Sequence, residues 1–350
     1  MITDTLSLEA FLPAMEGQER IALDTEADSL HCYFEKLCLI QITVPGRDVL
    51  IDPLAGFSLD PLFDKLRHHS IVIHGADYDL RLLRRSGYQD AVFVFDTMIA
   101  ARLTGHLEFS LAALLLKYFN VTLAKASQKA NWARRPLPPQ MIEYAENDTR
   151  NLLGLASILE TQLHELGRWE WFVQSCARVV EATKQVKQRD VENAWRISGS
   201  NDFRGRDAAI LRALWQWRDE ESRAVDRPVF HILSNDELLA SARAVAQHGM
   251  DRPERLQGGR LRRFQDAAAA AVVLPESGWP KFVHKPRLRV TPEQEQCFRN
   301  LRKHRDEVAT RLKLDPSLIA PKAALEALAN EAPDAVTSLM PWQRELLGIH

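Results

Sequence analysis

The sequence predicts a mixed α/β domain followed by all-helical modules. Three observations carry that reading. Three short apolar runs lie close together near the start, after which strand and helix patterns alternate up to about residue 120. Beyond that point no convincing strand pattern remains. The later segments carry helical periodicity with start and stop signals instead.

Each element follows from its residues. Arg20-Ile-Ala-Leu-Asp24, Lys36 to Thr43 and Asp48 to Asp52 read as strands, the last two joined by a turn at Pro45-Gly46; their close spacing indicates an antiparallel meander. Leu59 to His68 has helical periodicity, Ile71 to His74 reads as a strand, and Tyr78 to Arg85 as a helix. Val92 to Asp96 is the last strand, with helices near Thr97–Leu103 and Ser110–Phe119. Ala124 to Pro139 is polar and proline-rich, a loop, and Pro138-Pro139 suits the start of a helix from about Gln140 towards Leu166. Arg206 to Val225, Leu238 to Gln247 (behind the capping residues Ser234 to Glu237) and Arg260 to Val273 are helices. Gly278 to Arg289 reads as a linker, and Thr291-Pro292-Glu293-Gln294 opens helices that run to Leu347.

Composition narrows the class. At 350 residues, 46% hydrophobic and 26% charged, the chain is an ordinary soluble globular protein of two or three domains. Its net charge of −2 carries no whole-chain signature of nucleic-acid binding. Residues 1–150 nevertheless carry −5 and the rest +3, which allows an acidic catalytic half and a mildly basic accessory half. Cys32, Cys38, Cys176 and Cys297 have no CxxC spacing, which argues against a zinc site or a disulfide framework and for thiols in a reducing compartment. MITDTLSLEAF lacks the apolar core of a signal peptide, and Ala267 to Leu274 is far too short to span a bilayer. A cytoplasmic protein without membrane contact is expected.

The chemistry-bearing residues are acidic. Asp24 and Glu26 are two apart where a strand ends, so both carboxylates face one side. Asp79 sits at a strand-to-helix transition in His74-Gly-Ala-Asp-Tyr-Asp79-Leu80, and Asp96 at another strand end. Tyr144 and Asp148 share a helix face. Clustered carboxylates repel and are costly to desolvate, which divalent cations relieve; hard oxygen ligands select Mg²⁺ or Mn²⁺. Each motif alone is common by chance, and an acid at a strand end is often only a cap.

Together, and in order, the motifs resemble the ribonuclease D family of DEDD-type 3′→5′ exonucleases, tyrosine subclass. Asp24-Thr-Glu26 with Tyr33 to Ile42 resembles the first exonuclease motif, His74 to Leu80 the second, and Tyr144-Ala-Glu-Asn-Asp148 the third. Asp96-Thr97 and Trp132 to Leu137 match further family positions. Leu211 to Leu239 resembles the helicase-and-RNase-D C-terminal (HRDC) domain, and residues 291–348 a divergent second copy. Ala27, Asp28 and Glu35 depart from the commonest first motif, at positions that are not metal ligands.

The resemblance implies a ribonuclease-H-like sheet flanked by helices in residues 1–170, a helical linker at 171–203, an HRDC domain at 204–280 and an HRDC-like domain at 288–350. It implies that Asp24, Glu26, Asp79 and Asp148 hold two Mg²⁺ or Mn²⁺ ions, Asp24 between them, and that Tyr144 orients the attacking water. The substrates it implies are tRNA precursors and other small structured RNAs, cut by a monomeric enzyme that releases nucleoside 5′-monophosphates. Thr25, Gln41 and His74 are candidates to line the site, His74 alternatively a satisfied strand histidine. Lys125, Trp132 and Arg135 are candidates to meet the substrate, Trp132 alternatively a packing anchor. Arg260, Arg262, Arg263, Lys281, Lys285, Arg287 and Arg289, interleaved with Phe264, Trp279 and Phe282, are candidate RNA contacts of the helical modules. Trp195, Trp215 and Trp217 read as core. Two alternatives stay open: an exonuclease acting mainly on DNA, and a non-catalytic RNA-binding protein.

Overall fold

The structure, a computed structural model, describes residues 1–89, 91–123, 129–185, 190–281 and 290–349. The chain forms two compact units, one of Met1–Ala27, Leu37–Val186 and Leu288–His350, the other of Asp28–Lys36 and Lys187–Arg287. Neither unit is continuous in sequence, unlike the domains expected from motif order.

In the first unit five strands, β1 (Arg20–Ala27), β2 (Leu37–Val44), β3 (Arg47–Ile51), β4 (Ser70–Ile73) and β5 (Phe93–Asp96), form one sheet in the order β3-β2-β1-β4-β5. The meander pairs antiparallel, and β4 and β5 add in parallel on the other side of β1. Every residue of β2 is buried, which explains its near-continuous apolar run. Alternate residues serve opposite faces: Ile21, Leu23, Ile71 and Ile73 join one core, while Ala22 and Val72 join another. Asp24 and Glu26 therefore continue the Ala22 face.

Two local expectations change. The helix expected from about Gln140 towards Leu166 is two helices, Pro139–Arg150 and Leu152–Glu165, meeting at Asn151 with φ −104° and ψ 0°. They serve different cores. The first packs Met141 and Ala145 against Leu39 and Leu50, and the second packs Leu152, Leu155 and Leu159 against Phe95 and Phe172. A helix at Thr5–Phe11, capped by Asp4 and burying Leu8 and Phe11, was not anticipated; its i,i+3 apolar pair is too short a signal.

The C-terminal helices Pro292–Leu312, Pro316–Ile319, Lys322–Ala329 and Pro341–Leu347 share the apolar core of the nuclease half. Trp342 stacks on Trp171 with centroids 5.1 Å apart, and Arg168 donates to the carbonyls of Leu103 and Leu312 at 2.6 and 2.7 Å. In the second unit the helices Gly205–Ala224, Val229–Ile232, Asn235–His248 and Gly258–Val272 surround Trp195, Trp215, Trp217 and Phe264. Ser234 and Glu237 form a complete capping box. Asp226, left-handed at φ 46°, accepts the backbone N–H groups of Tyr33 and Phe34 at 3.0 Å each and pairs with Lys36. Cys32, Cys38 and Cys176 are buried free thiols, and Cys297 is an exposed one. No helix among the described residues is long and apolar enough to cross a membrane.

Candidate active site

The site is built on β1 and the helix that crosses it. Asp24 and Glu26 stand on one face, opposite Gln41 and Leu39 of β2. Pro139–Arg150 lies over that face because Met141, Ala145, Asp148 and Thr149 form its buried stripe. Its C-terminal end is pinned: the hydroxyls of Thr43 and Thr149 are 2.8 Å apart, and Arg150 Nε donates to Asp48 at 2.6 Å. The result brings carboxylate oxygens of Asp24, Glu26 and Asp148 within 4.8 Å of one another. Among the described residues no Lys, Arg or His forms an ion pair with any of them.

Asp79 approaches from the other face. Its Oδ1 accepts the Thr25 hydroxyl at 2.5 Å and the Thr25 N–H at 3.1 Å, which ties the second motif to the first. Asp79 lies outside the 4.8 Å group, yet its charge acts on Asp24 and Glu26. Asp96 is committed to backbone N–H groups instead. It caps Thr97–Leu103 by accepting Met98 and Ile99 N–H at 2.9 and 3.2 Å, and it holds the turn before Asp79 through Gly75 and Ala76 N–H at 3.0 and 2.8 Å. The signal for this role was in the sequence, since an acid between a strand and a helix is an N-cap first.

The electrostatics follow from burial without counter-charge. Burial, then Asp79, Asp148 and Glu26, raise the Asp24 carboxyl well above the ordinary range. Glu26 is pushed up to about 9 by burial, then by Asp148 and Asp79. Asp148 and Asp79 are each pushed up to about 7, chiefly by burial. Such a donor set fits divalent cations: all oxygen, anionic and clustered. Burial, then the charges of Asp148, Glu26 and Asp24, raises the Tyr144 phenol far above the usual value, so it stays protonated at neutral pH.

The remaining candidates divide. His74 Nδ1 lies 2.9 Å from Thr97 Oγ1, whose own proton goes to the Ile73 carbonyl at 3.2 Å. Burial holds His74 below the usual imidazole range. Thr25 is engaged by Asp79, and Gln41 is wholly buried. Trp132 and Arg135 are both engaged within the fold. Trp132 is 1% exposed and packs against Tyr144, with ring centroids 6.0 Å apart. Arg135 grips buried Asp52 with two hydrogen bonds of 2.5 Å and donates to the Cys38 and Trp132 carbonyls at 2.7 Å each. A loop arginine with an acid waiting in the fold takes that acid. Lys125 lies outside the described residues.

In the helical unit, Arg260 and Arg263 both pair with buried Glu221. Phe264 is core, and Trp279 donates to the Leu274 carbonyl. Arg262 and Lys281 are exposed, while Phe282, Lys285, Arg287 and Arg289 lie outside the described residues.

Known proteins match this arrangement. The 3′–5′ exonuclease family model matches residues 1–164, and the HRDC domain model matches 207–248 and 294–340. A ribonuclease D of Jannaschia sp. is 30% identical, the match covering 99% of this chain and 92% of that protein. One of Pseudomonas paraeruginosa is 28% identical over 99% and 95%. Among solved structures, Escherichia coli RNase D superposes with a TM-score of 0.72 at 25% identity, over 99% of this chain and 98% of that one. A Bifidobacterium adolescentis protein superposes at 0.85 over 99% and 94%, and at 23% identity it bears on the fold alone. The N-terminal half is thus a 3′–5′ exonuclease domain and the chain a nuclease hydrolase: it belongs to the ribonuclease D family.

Proposed function

We propose that the chain is a two-metal 3′→5′ exoribonuclease that trims tRNA precursors and other small structured RNAs from their 3′ ends. The observation that carries this reading is the set of Asp24, Glu26 and Asp148 oxygens within 4.8 Å, with no cation of the protein's own among the described residues. The choice of RNA rests on the ribonuclease D relatives and on the Escherichia coli protein, described as an exoribonuclease involved in structured RNA processing.

Asp24, Glu26 and Asp148 would hold the ions, and Asp79, tied to Thr25, would complete the acidic set. Bound there, Mg²⁺ or Mn²⁺ supplies charge neutralisation and a more acidic water. The Tyr144 hydroxyl, which stays protonated, would orient the attacking water. The water oxygen forms the new bond to phosphorus, and the bond to the 3′-oxygen of the penultimate nucleotide breaks. The attacking water gives up a proton to solvent, the leaving oxygen takes one up, and a nucleoside 5′-monophosphate leaves. His74 would line the pocket for the terminal nucleotide, and Lys125 would meet the backbone. Chemistry is assigned to residues 1–170 and RNA engagement to 204–280 and 288–350, joined by 171–203. Arg262 and Lys281 remain the candidate phosphate contacts described there. The protein acts as a cytoplasmic monomer.

The test is digestion of a 3′-extended tRNA and a matched DNA strand with Mg²⁺, Mn²⁺ or EDTA, with Asp24→Ala as control. Metal-dependent stepwise shortening of the RNA, slower on DNA and absent in the variant, is expected. DNA cut at least as fast would move the substrate class, and binding without cutting in either metal would overturn the catalytic reading.

A further inference from the structure

Among the buried polar groups without a partner, Gln41 is the one whose two side-chain polar atoms are both unpaired among the described residues. It is a single amide in the strand Leu37-Cys-Leu-Ile-Gln41-Ile-Thr-Val44, every residue of which is buried. Its exposure is 0%, and neither Nε2 nor Oε1 has a hydrogen-bond partner among the described residues. A buried polar group without a partner is a standing cost, and natural proteins retain few of them.

Register says what the amide faces. Gln41 pairs with Asp24 across β1–β2 and with Leu50 across β2–β3. Directly opposite residues share a face with Cβ atoms about 4.5–5.5 Å apart, within reach of a Gln side chain. Leu50 offers no polar atom, and neither does Ala145, buried on the helix over this face. The neighbouring hydroxyls are committed elsewhere, Thr25 to Asp79 and Thr43 to Asp48 and Thr149. Asp24, for its part, receives no side-chain donor from the described residues. A donor without an acceptor therefore stands beside a carboxylate without a side-chain donor.

We propose that Gln41 is a positioning residue for the divalent-cation site, its amide N–H holding the Asp24 carboxylate in the orientation that binds metal. This rests on the metal reading above. The residue type fits the task. A ligating carboxylate needs its free lone pairs hydrogen-bonded to fix its orientation. A lysine or arginine in this place would neutralise the acids and compete with the ions; a neutral amide donates without competing.

The test uses the full chain with Gln41→Leu and the closer isostere Gln41→Met. Mn²⁺ binding is measured by calorimetry, thermal stability in EDTA by melting, and exonuclease activity across a Mn²⁺ titration. The variants should melt in EDTA at or above the parent, since an orphan amide has been removed. They should bind Mn²⁺ about 10- to 100-fold more weakly and recover most activity at saturating Mn²⁺. Unchanged Mn²⁺ affinity in either folded variant would overturn the assignment. So would a failure of both variants to fold, because the amide would then serve the fold. A parent that binds no Mn²⁺, or binding that survives in Asp24→Ala, would overturn the metal reading itself.

Discussion

Two buried carboxylate sites in this molecule are resolved in opposite ways. Glu221, in the helical unit, meets Arg260 and Arg263, and hydrogen bonding from Arg263 first holds its carboxyl below the ordinary range. The Asp24, Glu26 and Asp148 group has no basic partner among the described residues, and its carboxyls are raised instead. In the first case the fold supplies the cation as a side chain and the charge becomes structure. In the second the fold leaves the charges unmatched, which is destabilising unless a soluble cation arrives. A site that costs stability in isolation and is completed from outside is what a metal-dependent active site requires.

The sharpest way to break this comparison is to remove one acid from each region. Asp24→Ala should lower the single-turnover rate of RNA hydrolysis at least about a thousandfold, or about 4 kcal/mol in transition-state stabilisation. Glu221→Gln should leave that rate within about twofold. A rate within tenfold of the parent in Asp24→Ala would remove the cluster from the chemistry.

Tyr144→Phe comes next. It should slow turnover about 10- to 100-fold while Mn²⁺ binding by calorimetry stays unchanged, because the hydroxyl orients rather than ligates. A variant as fast as the parent at neutral pH would remove the role assigned to Tyr144.

Stability against pH sharpens the comparison further. Carboxyls raised on folding bind protons more tightly in the folded state than in the unfolded one. Their contribution is fully present below the unfolded value near 4 and is lost as pH rises through about 7 for Asp79 and Asp148 and about 9 for Glu26. In EDTA the melting temperature should therefore fall between pH 5 and pH 9, and Mg²⁺ should flatten the profile. Asp148→Asn should raise the melting temperature in EDTA at pH 8 by a few degrees. Glu221→Gln should lower it there, because a depressed carboxyl contributes above its unfolded pKa and loses that contribution as pH falls. A flat EDTA profile in the parent would mean that the acids are not in conflict. The smallest effect is expected from Arg260→Gln, which leaves Arg263 on Glu221: a shift of about 1–2 °C with turnover unchanged.

Much of the architecture was legible because its signals are local. The strands at Arg20, Leu37, Arg47, Ser70 and Phe93 each carry an apolar run bounded by turns, and the capping signals at Ser234 and Thr291 open helices as expected. The break at Asn151 was not legible, since it reflects two cores pulling adjacent segments in different directions. The candidate site was legible as residue types at motif spacing, whereas the partners of those residues were not. Trp132 and Arg135 read as substrate contacts because a loop between motifs is where such contacts lie; the fold gave one a buried slot behind Tyr144 and the other Asp52. Arg260 and Arg263 read as phosphate contacts until Glu221 was placed beside them.

The sequence by itself determined the order of elements, the placing of two acids on one strand face and the sharing of a helix face by Tyr144 and Asp148, because periodicity of two and of 3.6 is a property of the backbone alone. Only the tertiary structure decided which charged and polar groups find partners: Arg135 with Asp52, Asp96 with four backbone N–H groups, Glu221 with two arginines, and Gln41 with none among the described residues. The physical reason is that pairing depends on which distant segments are packed side by side, and strand register and helix crossing set that after the local elements exist.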